Sequence, residues 1–393
     1  MANLFGLLGL GHTPPADQGS RETHATWAQP ISRHGSLPGQ SLYWSYSIFT
    51  PPNTPQAPTL YWSHGLGSSV AAERNFAKAL STKGIRVVAL DYPGCGHSDW
   101  LRTTQGPLTA RDIRSLKDRE QIFSLILDGA LEIIQHDRKI FPETPFAIGG
   151  NSLGGVTSVR LARHFANDTL LLGLFNCVAF HSLGKTHVRS PLLTLFLETL
   201  VSTSSLHAES VSTVAVLAKL ALAYSGLTLA NLSHGHRNVA QLVQSTFEHL
   251  LQRAGESMDG WKSRVSQQEH ALSAHARMSD FASTPEALRQ LQADQKALGD
   301  MPQFNVFADG DPLLGDPKRL ARDLAQYPRG RAVVLEKSGR IPGPGHLVLP
   351  SHPEAMADLF RDMISGTNPP EVSGFRNEGI RATHYQRNTT QEL

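Results

Sequence analysis

Cysteine is nearly absent. Cys95 and Cys177 are the two in 393 residues, far apart and each in or beside an apolar segment. That excludes a disulfide scaffold and leaves no thiolate cluster for a metal. Buried spectator thiols in a reducing, cytoplasmic setting are the expectation. An excess of one charge is also lacking. Thirty-six Lys and Arg stand against 34 Asp and Glu, a net of +2. No basic run is dense enough to track a phosphate backbone, so nucleic acid is excluded as the partner. Long apolar runs are missing too. The most lipid-like stretch, residues 211–232, carries Lys219 and several Ser and Thr. It reads as a buried or pocket-lining helix, and stable membrane insertion is not expected. Residues 1–10 are apolar but short, with no positive leading region, which favours a loose or docked arm over a secretory signal. Sequons at Asn167, Asn231 and Asn388 carry little weight without such a signal.

Apolar residues make up 40% of the chain and charged ones 18%, enough for a sizeable core. The length suits one large α/β domain with an insertion. Strand-like segments fall at 24–31, 41–49, 59–63, 85–90, 146–151, 172–180, 303–308 and 331–335. Helical spacing covers 70–83, 110–141, 317–326 and 353–364. This alternation predicts an α/β fold: a mostly parallel central sheet of about eight strands, helices on both faces. Between 183 and 301 no strand signal appears and apolar residues recur at helical spacing, so an all-helical cap is inserted there. The expected organisation is an arm at 1–22, core at 23–182, cap at 183–301, core again at 302–365, and a polar, flexible tail at 366–393.

The most informative stretch is Phe146-Ala147-Ile148-Gly149-Gly150-Asn151-Ser152-Leu153-Gly154-Gly155. An apolar run ends in a serine framed by glycines, and a helical pattern follows. Strand, sharp turn and helix with Ser152 at the apex make a G-x-S-x-G nucleophile elbow. The apex is expected at positive φ, because the turn is strained, and a Cβ at the flanking positions would collide across it.

Acyl-transfer chemistry needs a nucleophile, a base, a group that orients the base, and donors for an oxyanion. Ser152 supplies the first. Of 18 histidines, His346 in Gly343-Pro344-Gly345-His346 stands on a Gly/Pro-rich loop between the last core strand and the last helix, where an imidazole can reach over the sheet rim. Asp311, in Ala308-Asp309-Gly310-Asp311-Pro312, follows a strand and is the favoured orienting acid, because Gly310 and Pro312 suggest a turn that presents it; Asp309, two residues away, is its rival, with a local Asx-turn hydrogen bond as its alternative role. The backbone N–H groups of Leu153 and Leu66 are the expected oxyanion donors. His64 reads as a loop anchor. Tyr92, Trp100 and Leu153 are candidate pocket walls. No cofactor and no metal are implied.

In order, His64-Gly65-Leu66-Gly67, Asp91-Tyr92-Pro93-Gly94-Cys95-Gly96-His97-Ser98-Asp99, the elbow, Asp311 and Gly345-His346 resemble the α/β-hydrolase fold superfamily, in its capped serine-hydrolase form. The likeness covers 59–182 and 303–364. Ala308 stands where the family often has Gly, and Pro342 and Pro344 stiffen the histidine loop. The resemblance implies a serine hydrolase; the cap, rich in Leu, Ala and Val, suggests an apolar pocket and hence a lipophilic small-molecule ester, thioester or lactone as substrate. The same constellation would serve carbon–carbon hydrolysis, acyl transfer or a lyase step; a ligand-binding protein with vestigial catalysis is the third class.

Overall fold

The computed structural model describes residues 20–30, 40–52, 54, 56–65, 69–93, 95, 97–98, 102–103, 106–107, 119–177, 285–309, 311, 316–327, 329–337, 348–366, 380–386 and 389–392. The bulk of the expected cap, 183–284, lies outside them.

The strands are β1 (Arg21–Pro30), β2 (Gln40–Thr50), β3 (Thr59–Ser63), β4 (Arg86–Asp91), β5 (Arg102–Thr103), β6 (Gly106–Pro107), β7 (Phe146–Asn151), β8 (Thr169–Phe175), β9 (Gln303–Ala308), β10 (Gly330–Lys337), β11 (Ile380–Gln386) and β12 (Thr389–Glu392). They form one sheet in the order β12-β11-β10-β9-β8-β7-β3-β4-β2-β5-β6, with β1 paired to β2. The middle six, β4-β3-β7-β8-β9-β10, are mutually parallel. The helices are α1 (Val70–Thr82), α2 (Arg119–Ile140), α3 (Leu153–His164), α4 (Pro285–Ala297), α5 (Pro317–Leu324), α6 (Val348–Ser351) and α7 (Pro353–Ile364).

The parallel strands β3, β4, β7 and β9 are buried along their whole length and mainly apolar, because both faces are covered. Side chains alternate between two cores with period two. On one face Leu60, Trp62, Val87, Ala89, Phe304, Val306, Val333 and Leu335 meet α1 and α7. On the other Tyr61, Val88, Leu90, Ile148, Phe307 and Val334 meet α2, α3, α4 and α5. Beneath the elbow strand Trp62, Phe76, Phe175 and Phe360 pack edge-on or tilted, with ring centroids 5.0–6.5 Å apart. On the opposite face Arg86 makes two 2.7 Å bonds to Asp137, whose Oδ2 also accepts from Tyr61 Oη at 2.7 Å. These three side chains tie β3 and β4 to α2.

All eight expected strands are present, and four more join them. β5 and β6 are two residues each, too short for any sequence pattern. β11 and β12 correct the reading of 366–393 as a flexible tail: β11 pairs antiparallel with β10 over seven residues, from Arg331↔Gln386 to Lys337↔Ile380, and β12 pairs with β11. The segment is polar, and its order comes from the open edge of β10, a partner distant in sequence. β1 likewise begins at Arg21, inside the stretch read as an arm. Helix α4, counted within the insert by its sequence pattern, packs on α3. Asp294 pairs with Arg160 at 2.9 Å, and Leu291 lies in the same core as Val159.

Candidate active site

Strands β3, β4, β7 and β9 end on one rim of the sheet, at Ser63, Asp91, Asn151 and Ala308. In an open parallel sheet this carboxyl rim is where ligands bind.

Ser152 stands between β7 and α3 with φ 54° and ψ −120°. Only Ser152 and Asn176 have positive φ among the described non-glycine residues. The flanking glycines are required by close approach. A Cβ on Gly150 would lie 2.5 Å from the Gly154 carbonyl, and one on Gly154 would lie 2.1 Å from the Ser63 oxygen. The start of α3 is thus pressed against the backbone of β3. Ser152 N–H donates to Phe175 O at 2.8 Å, and its carbonyl accepts from Gly155 N–H at 3.1 Å. A Cβ on Gly155 would meet Cys177 Sγ at 2.5 Å, so this buried thiol fills space behind the elbow. Neither cysteine forms a disulfide.

Leu153 is the first residue of α3, so its N–H has no acceptor within the helix and lies beside the serine. Its side chain is fully buried in the core, which removes it as a pocket wall. Leu66 and Trp100 lie outside the described residues. The loop that leads to Leu66 passes over the serine: a Cβ on Gly65 would lie 3.0 Å from Ser152 Cβ and 3.6 Å from its Oγ.

His64 anchors that loop. Its Nε2 accepts from Tyr92 N–H at 3.1 Å, and its Nδ1 lies 2.7 Å from Gly65 O. Accepting at Nε2 requires the neutral ring with the proton on Nδ1, which then donates to Gly65 O. Tyr92 lies against this ring, centroids 4.5 Å apart, and is fully buried; it is core, not pocket wall.

Asp91 explains the loop that follows it. Its Oδ1 accepts from Val70 N–H at 2.7 Å, at the start of α1, and its Oδ2 accepts from His97 N–H at 3.0 Å. Ser98 Oγ donates to Asp91 O and accepts from Ser45 N–H, both at 2.6 Å. Burial pushes the Asp91 carboxyl above the usual carboxylate range, against these backbone donors. Burial, helped by the Asp91 charge, also drives the Cys95 thiol far up, so Cys95 is no thiolate nucleophile.

Asp311 is buried and its N–H donates to Ala308 O at 3.0 Å. Asp309 is partly exposed, and its N–H donates to Leu335 O at 2.9 Å; it still belongs to the pairing of β9 with β10. His346 lies outside the described residues.

Two residues escaped the sequence reading. Glu73 is buried in α1 and accepts from Asn151 Nδ2 at 3.0 Å and from Trp62 Nε1. It thus holds the residue before the serine. Its signal was legible: Val70, Glu73, Ala77 and Leu80 share one face of the helix, and an acid on an apolar stripe needs partners. Asn176, at the end of β8, is the other.

The chain matches the model of the Alpha/beta hydrolase family over residues 60–359, and it belongs to that family. It is therefore an enzyme of the hydrolase class. Among solved structures it is similar to a haloalkane dehalogenase loop variant from Bradyrhizobium elkanii, with 13% identity and a TM-score of 0.53. That likeness covers 88% of this chain and 97% of the other. It is also similar to a serine hydrolase from the polyaromatic-hydrocarbon-degrading bacterium Cycloclasticus zankles, with 14% identity and a TM-score of 0.50, covering 88% of this chain and all of the other. At such identities the likeness is one of fold. No curated protein matches the chain in sequence. Among the described residues no helix is long and apolar enough to cross a membrane.

Proposed function

We propose that the chain is a serine hydrolase that cleaves a carboxylic ester, thioester or lactone of a lipophilic small molecule. The observation that carries this reading is the left-handed Ser152 between β7 and α3, in a chain of the hydrolase family. In the proposed reaction His346 takes the proton of Ser152 Oγ as that oxygen bonds to the substrate carbonyl carbon. Asp311 holds the imidazole and stabilises the imidazolium. The N–H groups of Leu66 and Leu153 receive the oxyanion. His346 then returns the proton to the leaving group, and water activated by the same imidazole clears the acyl-enzyme. Burial of Asp311 and its departure from the strand pairing favour it over Asp309, which remains in that pairing. The apolar composition of 183–284 supports a cap over a lipophilic substrate. Two buried thiols outside any disulfide are in keeping with a reducing, cytoplasmic setting.

A fluorophosphonate probe should label the wild type and not Ser152→Ala. Turnover of short-chain p-nitrophenyl esters should fall about 10⁴-fold in Asp311→Asn and far less in Asp309→Asn. Absence of labelling in the wild type refutes the nucleophile; a larger loss at Asp309 refutes the acid.

A further inference from the structure

The ladder between β8 and β9 ends at Phe175↔Val306. At the next residue the chain turns left-handed: Asn176 has φ 44° and is fully buried. Its N–H still donates to Val306 O at 2.9 Å. Its carbonyl then leaves the ladder, while β9 continues to Ala308. There the Asn176 side chain takes over, its Oδ1 accepting from Ala308 N–H at 3.0 Å. Ala308 O in turn accepts from Asp311 N–H at 3.0 Å. On the other side of β8, Phe175 O accepts from Ser152 N–H at 2.8 Å. One hydrogen-bonded path therefore runs from the serine through 175 and 176 to the acid turn.

We propose that Asn176 is a positioning residue that sets the Asp311 turn relative to the Ser152 elbow. This inference rests on the serine-hydrolase reading above. The residue type follows from two demands made at one place. The backbone must tolerate a left-handed conformation, which Asn does better than most side chains. An acceptor must also extend the β8 edge by one bond after its carbonyls have turned away. Glycine meets the first demand and not the second. Alanine meets neither. Aspartate meets both, at the cost of a buried charge.

The mechanism gives this placement a consequence. An acid that shifts by a fraction of an ångström no longer holds the imidazole tautomer, and it stabilises the imidazolium less. Misplacement on the 1 Å scale costs about 100-fold in rate. Weaker stabilisation of the imidazolium lowers the pKa of the histidine, so the acid limb of the kcat/KM profile moves to lower pH.

The test compares Asn176→Gly and Asn176→Asp with the wild type, using p-nitrophenyl butyrate turnover, the fluorophosphonate labelling rate, and the labelling endpoint as a count of competent sites. Asn176→Gly should lose about 10- to 100-fold in kcat per competent site. Its KM should stay within about twofold, and its acid limb should move to lower pH. Asn176→Asp keeps the acceptor, so its limb should not move down. A folded Asn176→Gly with wild-type kcat and an unmoved limb overturns the proposal. So does a rate loss that the endpoint accounts for in full, because a merely structural residue would lower the number of sites and leave the limb in place. If Asn176→Gly does not fold, Asn176→Asp carries the test. Retention of kcat within about tenfold supports the proposal, and a loss as large as that of Asp311→Asn overturns it. Ser152→Ala is the control that separates the two readings. If it still turns over ester and takes the probe, the nucleophile is wrong. If it is inert while Asn176→Gly behaves as wild type, only the role of Asn176 fails.

Discussion

One added methyl group probes how tightly the elbow and its covering loop are fitted. In Gly65→Ala the new Cβ would lie 3.0 Å from Ser152 Cβ and 3.4 Å from Asn151 O. The first distance is at least 0.4 Å inside ordinary van der Waals contact, and the second is at its edge. Neither partner yields easily. Ser152 is fixed through Phe175 O and Gly155 N–H, and α3 behind it presses on the Ser63 carbonyl. The covering loop is fixed by His64, which bonds Tyr92 N–H on one side and Gly65 O on the other. Overpacking of this kind costs about 1–3 kcal/mol of stability. The larger effect falls on rate. The displaced loop leads directly to Leu66, the proposed second oxyanion donor, and losing one such donor costs about 3 kcal/mol of transition-state stabilisation. That is roughly 100-fold in kcat. The assay is ester turnover per fluorophosphonate-competent site, with a thermal melt in parallel. Gly65→Ala with wild-type kcat and an unchanged melt would show that the loop does not fit over the serine in this way.

Two further predictions concern the frame. Asp137→Ala leaves Arg86 buried without its carboxylate and removes the acceptor of Tyr61 Oη, and denaturant unfolding should show a loss of about 3–5 kcal/mol; a loss below about 1 kcal/mol would mean the pair is solvated. His384, on β11, is buried, with no hydrogen-bond partner for Nε2 among the described residues, and burial lowers its pKa to about 4. The unfolded chain takes up this proton near pH 6.5 and the folded chain only near 4, so stability should be full above about pH 6.5 and fall towards pH 4, by at most about 1.4 kcal/mol per pH unit. His384→Gln should flatten that dependence, and an unchanged slope in urea titrations between pH 7 and 5 would refute the assignment.

The features legible in the sequence were local ones. Strands β3, β4 and β9 declared themselves because both faces are buried and apolar residues dominate them, with Asn305 the one polar residue inside β9. Ser152 declared itself because the glycines that permit its backbone stand within three residues of it. What was hidden depends on distant partners. Strand β8 was expected to run to 180, since Cys177, Val178, Ala179 and Phe180 continue the apolar pattern; it stops at Phe175 because Asn176 turns left-handed to serve Ala308, 132 residues away. Glu73 meets Asn151 78 residues on. The strand at 380–386 is polar enough to pass for tail, and only the edge of β10 gives it a place.

The same division predicts how variants will separate. A positive-φ backbone costs a non-glycine residue roughly 1–3 kcal/mol, and the two such residues among those described, Ser152 and Asn176, stand at the ends of adjacent strands joined by the bond from Ser152 N–H to Phe175 O. The double-sided core offsets that cost and keeps both residues in place. Asp137 belongs to the core frame: its loss lowers stability, and activity per folded molecule stays close to wild type. Gly65 and Asn176 belong to the strained rim, where a small shift moves a donor or an acid and little apolar surface is exposed. Plotted as kcat per competent site against unfolding free energy, Asp137→Ala should move along one axis, and Gly65→Ala and Asn176→Gly mainly along the other. Points falling on a single diagonal would mean that rim and frame are one cooperative unit, and that the strain at 152 and 176 has no separate role in catalysis.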